Sequence, residues 1–347
     1  MAAQERLLEV ENLKKFFPVR KGIIKRVVGH VKAVDDINMF IKEGDTLGLV
    51  GESGCGKTTA ARTILRLIEP TEGKIRFRSK KLAKRGEENK YVNVAAASRS
   101  QLQALRQEMQ IIFQDPYSSL DPRMTIEKIV GEPLTIHRMA TGSHLRDRVR
   151  QLLDAVGLNP DSMNRFPHQF SGGQRQRIGI ARALATDPQL VIADEPVSAL
   201  DVSIRAQVIN LMQDLQRKFG LTYLFISHDL SVIKYISDRV AVMYLGKIVE
   251  LAEAQEVFAN PKHPYTEALM SAVPVPNPDY QVEQILLDGD VPTPLNPPPG
   301  CYFHQRCRYA KNVCSKESPV YKDLGDEHFV ACHFAEALNL RPIRIKN

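Results

Sequence analysis

The chain has 347 residues, 43% hydrophobic and 25% charged, with a formal charge of +7 from 47 Lys and Arg against 40 Asp and Glu, which are ordinary proportions for a soluble globular protein. No apolar run approaches the roughly 18 residues that would cross a bilayer, and the N-terminus MAAQERLLEV has neither the basic start nor the apolar core of a signal peptide, so spanning and secreted classes are set aside. The basic residues gather in Lys14–Lys32 and Lys74–Lys90 without a recognition helix or interleaved aromatics, which favours a solvated or membrane-proximal face over a nucleic-acid footprint.

In chain order, LLEVENL and VKAVDDINMFI read as strands joined by the basic segment FFPVRKGIIKRVVGH. Phe16 or Phe17 there is a candidate for stacking on an adenine ring. Leu47–Thr59, LGLVGESGCGKTT, is the stretch that carries most chemistry. A short apolar strand breaks into a glycine-punctuated loop, and a helix over Thr58–Ile68 follows, ended by Glu69-Pro70-Thr71-Glu72-Gly73. Gly51, Gly54 and Gly56 let the backbone turn its amides around a polyphosphate, and the helix N-terminus adds partial positive charge. Lys57 reaches the outer phosphates and Thr58 offers its hydroxyl to magnesium. A plain glycine turn has no use for Lys-Thr at those offsets. Cys55 lies at an unrestricted position and reads as a small filler.

Lys74–Ser100 is charged and short of apolar periodicity, so it reads as a strand followed by a surface insertion. Met109–Phe113 is a compact strand that delivers Gln114 to its C-terminal end, where ligands collect in open α/β sheets. From Asp115 to Phe170 the pattern is helical, with helices over Thr125–Glu132 and Gly142–Val156 and Gly157 as a C-cap. FSGGQRQR over Phe170–Arg177 opens a further helix, IGIARALA. Ser171 can cap that helix, and Gly172 and Gly173 allow an anion close to its N-terminus. Gln189–Ala193 is a buried strand ending in Asp194-Glu195-Pro196. Asp194 is placed to hold magnesium through water, and Glu195 to orient or deprotonate an attacking water. Ser198-Ala-Leu-Asp201, an amphipathic helix over Ile204–Phe219 and a strand over Thr222–Ile226 follow, the strand presenting Ser227-His228-Asp229. Taken singly, a glutamine after a strand, an Asp-Glu pair or a lone histidine is more often structural than catalytic.

Taken together, GESGCGKT, Gln114, FSGGQRQR, LVIADEP, SALD and His228 stand in the order and spacing of an ATP-binding cassette ATPase subunit, which the chain resembles from residue 5 to about 260. The resemblance implies an α/β fold: a P-loop NTPase cassette with a mixed sheet core and an inserted α-helical lobe, about residues 115–180. It also implies an ATP site on Phe17, Gly51, Ser53, Gly54, Cys55, Gly56, Lys57, Thr58 and Thr59. Magnesium is expected on Thr58, Gln114 and Asp194, and catalysis from Glu195 and His228 with Gln114. Ser171, Gly172, Gly173 and Gln174 form the signature motif and Asp201 belongs to the dimer-interface loop. Two such subunits pair head to tail, so that each ATP lies between the loop of one and the signature of the other. Phe170 stands where leucine is commoner.

Pro261-Lys-His263-Pro264-Tyr265-Thr266, the proline-rich stretch through Pro299-Gly300-Cys301 and Asp115–Pro122 resemble the dipeptide and oligopeptide importer branch. The expected division is a cassette over 1–260 and an extension over 261–347. Implied partners are a second cassette subunit, a paralogue more readily than another copy, two transmembrane permease subunits and an extracytoplasmic peptide-binding protein, with no nucleic acid. The implied location is the cytoplasmic face of the cell membrane. Relatives that carry nickel or oligosaccharides, and soluble cassette ATPases acting on nucleic acid or ribosomes, are the alternatives. Cys301, Cys307, Cys314 and Cys332 follow C-x5-C-x6-C-x17-C. Disulfides are disfavoured in a cytosolic chain, so a metal site is the better account. The importer branch suggests a 4Fe–4S cluster, with structural zinc or free thiols as alternatives.

Overall fold

The computed structural model describes residues 5–22, 26–84, 87, 89–272 and 284–341. The chain begins with a long antiparallel hairpin, β1 (Arg6–Lys21) and β2 (Arg26–Lys42), and continues through β3 (Thr46–Val50) into helix α1 (Lys57–Ile64). The described residues of the basic segment expected to link two strands are largely strand themselves, within β1 to Lys21 and within β2 from Arg26, with Phe17 pairing with Val31. β4 (Glu72–Ser79) and β5 (Lys90–Asn93) complete an antiparallel sheet in the order β2-β1-β4-β5. The charged insertion is therefore more structured than its composition implied, and helix α2 (Arg99–Glu108) follows it. The start of α2 is fixed by a reciprocal cap. Ser98 accepts from the Gln101 amide, and the Gln101 side chain accepts from the Ser98 amide.

β6 (Met109–Ile112) leads into a helical lobe of α3 (Ile126–Ile136), α4 (Gly142–Ala155) and α5 (Gly172–Ala183). α3 runs one turn past its expected end at Glu132, through Pro133. The helix loses one ladder hydrogen bond at Pro133, while Val130 and Leu134 are buried in the apolar cluster that also holds Leu152, Leu153 and Met163. β7 (Leu190–Asp194), α6 (Val202–Phe219), β8 (Thr222–Ile226) and α7 (Leu230–Ile236) follow. Then come β9 (Arg239–Tyr244), β10 (Lys247–Glu253), α8 (Ala254–Ala259), α9 (Pro264–Ser271) and the short strands β11 (Lys322–Asp323) and β12 (Phe329–Val330).

The second sheet has eight strands in the order β11-β12-β10-β9-β3-β8-β7-β6. β3, β6, β7, β8 and β9 pair in parallel, whereas β10, β11 and β12 add antiparallel ladders, so the sheet is mixed. Every residue of β3, β7, β8 and β9 is buried, as expected of strands covered on both faces. One apolar cluster joins the lobe, α5, α6 and the C-terminal helices, and the other fills the space between the two sheets around α1. The parallel strands thus end together and bring the phosphate loop, Gln114, Asp194 and His228 to one edge of the sheet. No helix of the described residues is long and apolar enough to cross a membrane.

Candidate functional site

The loop after β3 is held by backbone geometry that only glycine fits at two places. Gly51 has φ +153° and a Cβ there would lie 2.1 Å from the Met243 carbonyl oxygen; Gly56 has φ +110° and its Cβ would lie 2.1 Å from that of Ala33. Between them the loop closes on Lys57, whose buried ammonium donates to the carbonyls of Gly51 at 2.8 Å and Glu52 at 3.0 Å. A lysine charge gathered into a ring of backbone groups is poised to exchange those carbonyls for phosphate oxygens. Ser53 and Gly54 are exposed, and Thr58 and Thr59 half-buried. Cys55 is buried, its Sγ 3.8 Å from the Lys57 ammonium. Burial, more than any charge, pushes its thiol up, which fits a filler rather than a nucleophile.

Across the sheet edge, the Thr58 hydroxyl donates to Asp194 Oδ1 at 2.9 Å. Burial raises the Asp194 carboxyl, opposed by that hydrogen bond and by the Arg62 charge. A hydroxyl and a carboxylate oxygen are hard donors, the set that suits magnesium, so these residues fit the ion expected with ATP. Glu195, next along, has φ +49°, a left-handed conformation rare outside glycine. Its amide donates to the Ile226 carbonyl and its own carbonyl accepts from the Ser198 hydroxyl. The strained residue is thereby anchored on both sides. Gln114 Nε2 donates to Glu195 Oε2 at 3.0 Å, and His228 Nδ1 lies 3.2 Å from the same oxygen. Four residues from three strand ends, Thr58 after β3, Asp194 and Glu195 at the end of β7 and His228 after β8, with Gln114 after β6, form one constellation.

The signature segment spends its polar groups locally. Ser171 accepts from the Gln174 amide and Gln174 accepts from the Ser171 amide, closing a capping box on α5. A Cβ on Gly173 would meet Ile204 at 2.4 Å, so α5 and α6 approach closely there. Ser171 and Gln174 remain exposed, as does Asp201 at the start of α6. Phe17 is 37% exposed on the hairpin with the Lys15 ammonium 4.9 Å from its ring centre.

Several contacts escaped the sequence reading. Arg175 stacks over Tyr117 at 4.2 Å, joining the segment after Gln114 to the signature helix. Arg205 pairs with Asp229 at 2.9 Å, and Asp229 also caps α7, fixing the residue that follows His228. The C-terminal lobe meets the phosphate loop through Glu52, which accepts two hydrogen bonds from Arg306. Single residues 24 to 254 positions apart leave no local periodicity, so these pairs had no signal.

The four cysteines of that lobe are unpaired and close enough for their charges to interact. Burial pushes the Cys301 thiol up to about 12 and Cys307 up to about 11, with neighbouring cysteines adding to each. Among the described residues no group of three or more His, Cys, Asp or Glu side chains is arranged to hold a metal ion. The expected four-cysteine metal site is therefore not supported. His304 and His333 are engaged with the carbonyls of Cys301 and Glu317. What fastens the lobe instead is ordinary bonding. β12 pairs with β10, the Tyr302 hydroxyl donates to Asp35 at 2.6 Å, and buried Glu267 accepts from Arg308, Tyr309 and the Arg341 amide.

The family description "ABC transporter" matches residues 34–198, and "Oligopeptide/dipeptide transporter, C-terminal region" matches residues 249–314. The oligopeptide transport ATP-binding protein AppF of Bacillus subtilis (strain 168) is 54% identical over 96% of this chain and 98% of its own length. A putative peptide import ATP-binding protein of Brucella ovis is 49% identical over 94% of this chain and 97% of its own. Among solved structures, a dimeric ATP-binding cassette in a post-hydrolysis state, bound to ADP and Pi, superposes with a TM-score of 0.60 at 27% identity, covering 71% of this chain and 98% of that one. A Clostridium perfringens subunit that is part of the transporter complex cbiONQ gives 0.59 at 27% identity over 74% and 92%.

Proposed function

Because the chain belongs to the ABC transporter family, as an ATP-binding subunit, we propose that it hydrolyses ATP to power import of dipeptides and oligopeptides through a membrane permease. The observation that carries the catalytic part is the Glu195 carboxylate, held at a strand end with Gln114 and His228 on one oxygen and the Thr58–Asp194 pair beside it.

In this reading Lys57, Thr58 and the backbone of Gly51–Gly56, with Ser53, Cys55 and Thr59, cradle the phosphates, and Phe17 stacks on the adenine. Thr58 and Asp194, with Gln114 near, would hold magnesium, which neutralises phosphate charge when bound. Glu195 accepts a proton from the attacking water through Oε1, the oxygen that Gln114 and His228 leave to it, and His228 contacts the γ-phosphate. Phosphoryl transfer needs mainly positioning and charge stabilisation. The signature segment Ser171, Gly172, Gly173 and Gln174, its Ser171 and Gln174 exposed, then serves with Asp201 the nucleotide of a partner cassette, so ATP itself holds the closed dimer. The lobe around Gln114 passes closure to the permease.

The cassette occupies residues 1–260 and the importer-type extension 261–347. The relatives' names supply the cargo class, and the implied assembly is a paralogous second cassette, two permease subunits and an extracytoplasmic peptide-binding protein, with this subunit peripheral at the cytoplasmic face. The 4Fe–4S occupant of the cysteines rests on donor type and grouping alone; iron, sulfide and zinc content of anaerobically purified protein decides it. E195Q is expected to trap an ATP-bound dimer visible by size-exclusion chromatography, and unchanged steady-state hydrolysis refutes the assigned base. Uptake into vesicles of peptides, nickel or oligosaccharides by the complete complex identifies the cargo.

A further inference from the structure

The phosphate loop carries one acidic side chain, Glu52, and acid is out of place beside a polyphosphate. Its backbone carbonyl accepts from the Lys57 ammonium at 3.0 Å, so the residue is part of the wall around that lysine. Its charge is felt inside the loop, adding to burial in pushing the Cys55 thiol up. Left unpaired, a carboxylate there repels the incoming phosphates and competes for Lys57.

The C-terminal lobe answers that charge. Arg306 Nη1 and Nη2 donate to Glu52 Oε2 and Oε1 at 2.8 and 3.0 Å, a two-pronged pair in which the arginine side chain is only 8% exposed and the glutamate 26%. The fork geometry of guanidinium on carboxylate fixes direction as well as charge. A second contact fixes the same residue's backbone: the Glu52 amide donates to the hydroxyl of Tyr265 at 2.9 Å. Tyr265 is fully buried, its ring packed on Tyr244 and on Phe303 of the C-terminal lobe, with centroids 4.7 and 5.4 Å away. Both contacts come from beyond the last strand of the cassette core, and they converge on one residue of the loop.

We propose that Arg306 is a positioning residue of the nucleotide site, cancelling the Glu52 charge and, together with Tyr265, holding the phosphate loop in its binding shape, so that the extension completes the ATP site. The inference rests on the nucleotide reading of that loop. It assigns the extension a part in nucleotide affinity, separate from cargo and permease contacts.

The test is nucleotide affinity and KM of the full-length chain, using a fluorescent ATP analogue and the steady-state hydrolysis of the assembled complex. R306Q is expected to weaken binding and raise KM about tenfold at low ionic strength, with a smaller change in kcat and a penalty that shrinks as salt screens the exposed charge. Removing the offending charge in the double variant E52Q/R306Q is expected to restore most of the affinity, a rescue that lost packing does not produce. R306K, which keeps the charge without the fork, is expected between the two and stands in for R306Q if that variant fails to fold. If R306Q binds ATP as the parent does, or if the double variant is as impaired as the single, the proposal is overturned. A parent chain that binds no nucleotide, or a K57A variant that binds normally, instead overturns the nucleotide reading itself.

Discussion

His263 sits where the cassette meets its C-terminal helix, and its burial makes an acid-sensitive joint. The side chain caps α9, Nδ1 accepting from the Tyr265 amide at 3.0 Å, and the residue is 1% exposed with the Phe303 ring 5.7 Å from its own. Its amide donates to Glu250, a buried carboxylate that also accepts from the Lys262 amide and pairs with His328. Desolvation pushes the His263 imidazole down from 6.5 to about 3. A depressed value means that the folded state holds the neutral ring. Its stabilisation is present in full above pH 6.5 and is lost as pH falls toward 3, at about 1.4 kcal/mol per pH unit for one proton. At pH 5 that amounts to roughly 2 kcal/mol, a sizeable share of the stability of a typical domain. Asparagine at this position keeps an oxygen for the Tyr265 amide and cannot titrate. Urea unfolding of the parent and H263N between pH 4.5 and 7.5 should show the variant less stable at neutral pH for lost packing, with an acid slope shallower by about 1.4 kcal/mol per pH unit. Parallel pH profiles would show that His263 takes up no proton on unfolding and refute the reasoning.

Two further outcomes follow from geometry. G56A places a methyl against the Ala33 carbonyl in a conformation of positive φ, so nucleotide binding, read by a fluorescent ATP analogue, should fall by more than tenfold, about 1.4 kcal/mol or more. E267A removes a buried carboxylate that serves Arg308, Tyr309 and the Arg341 amide; a loss of about 3 kcal/mol is expected from stranding those donors, with limited proteolysis accelerating in residues 301–341 before the cassette core.

The candidate site was legible because its residues sit at strand ends. The run Leu190–Asp194 is a buried strand, so an acid placed just after it has only one place to go. That logic places Lys57, Thr58, Gln114, Asp194, Glu195 and His228 at strand ends, and the structure brings them to one edge of the sheet. Helix α2 was missed although Ser98 and Gln101 stand at capping-box spacing, because the charged residues around them mask a weak apolar stripe. Arg306 with Glu52 and Arg205 with Asp229 could not be read, since an ion pair across the fold follows from packing rather than from any local period. The cysteines mark the limit of residue type and spacing: these suggest ligands, yet among the described residues no group of three or more such side chains is arranged to hold a metal ion.

The pairing of β12 with β10 also bears on the order in which the molecule is made. β10 lies outermost in the cassette part of the sheet until Phe329 and Val330 settle against Glu250 and Leu251. A chain emerging from its N-terminus therefore carries an open row of amides and carbonyls on an apolar strand while the proline-rich stretch and the cysteine-bearing lobe are still being synthesised. Such an edge invites pairing with other chains. A segment made well after β10 closes it.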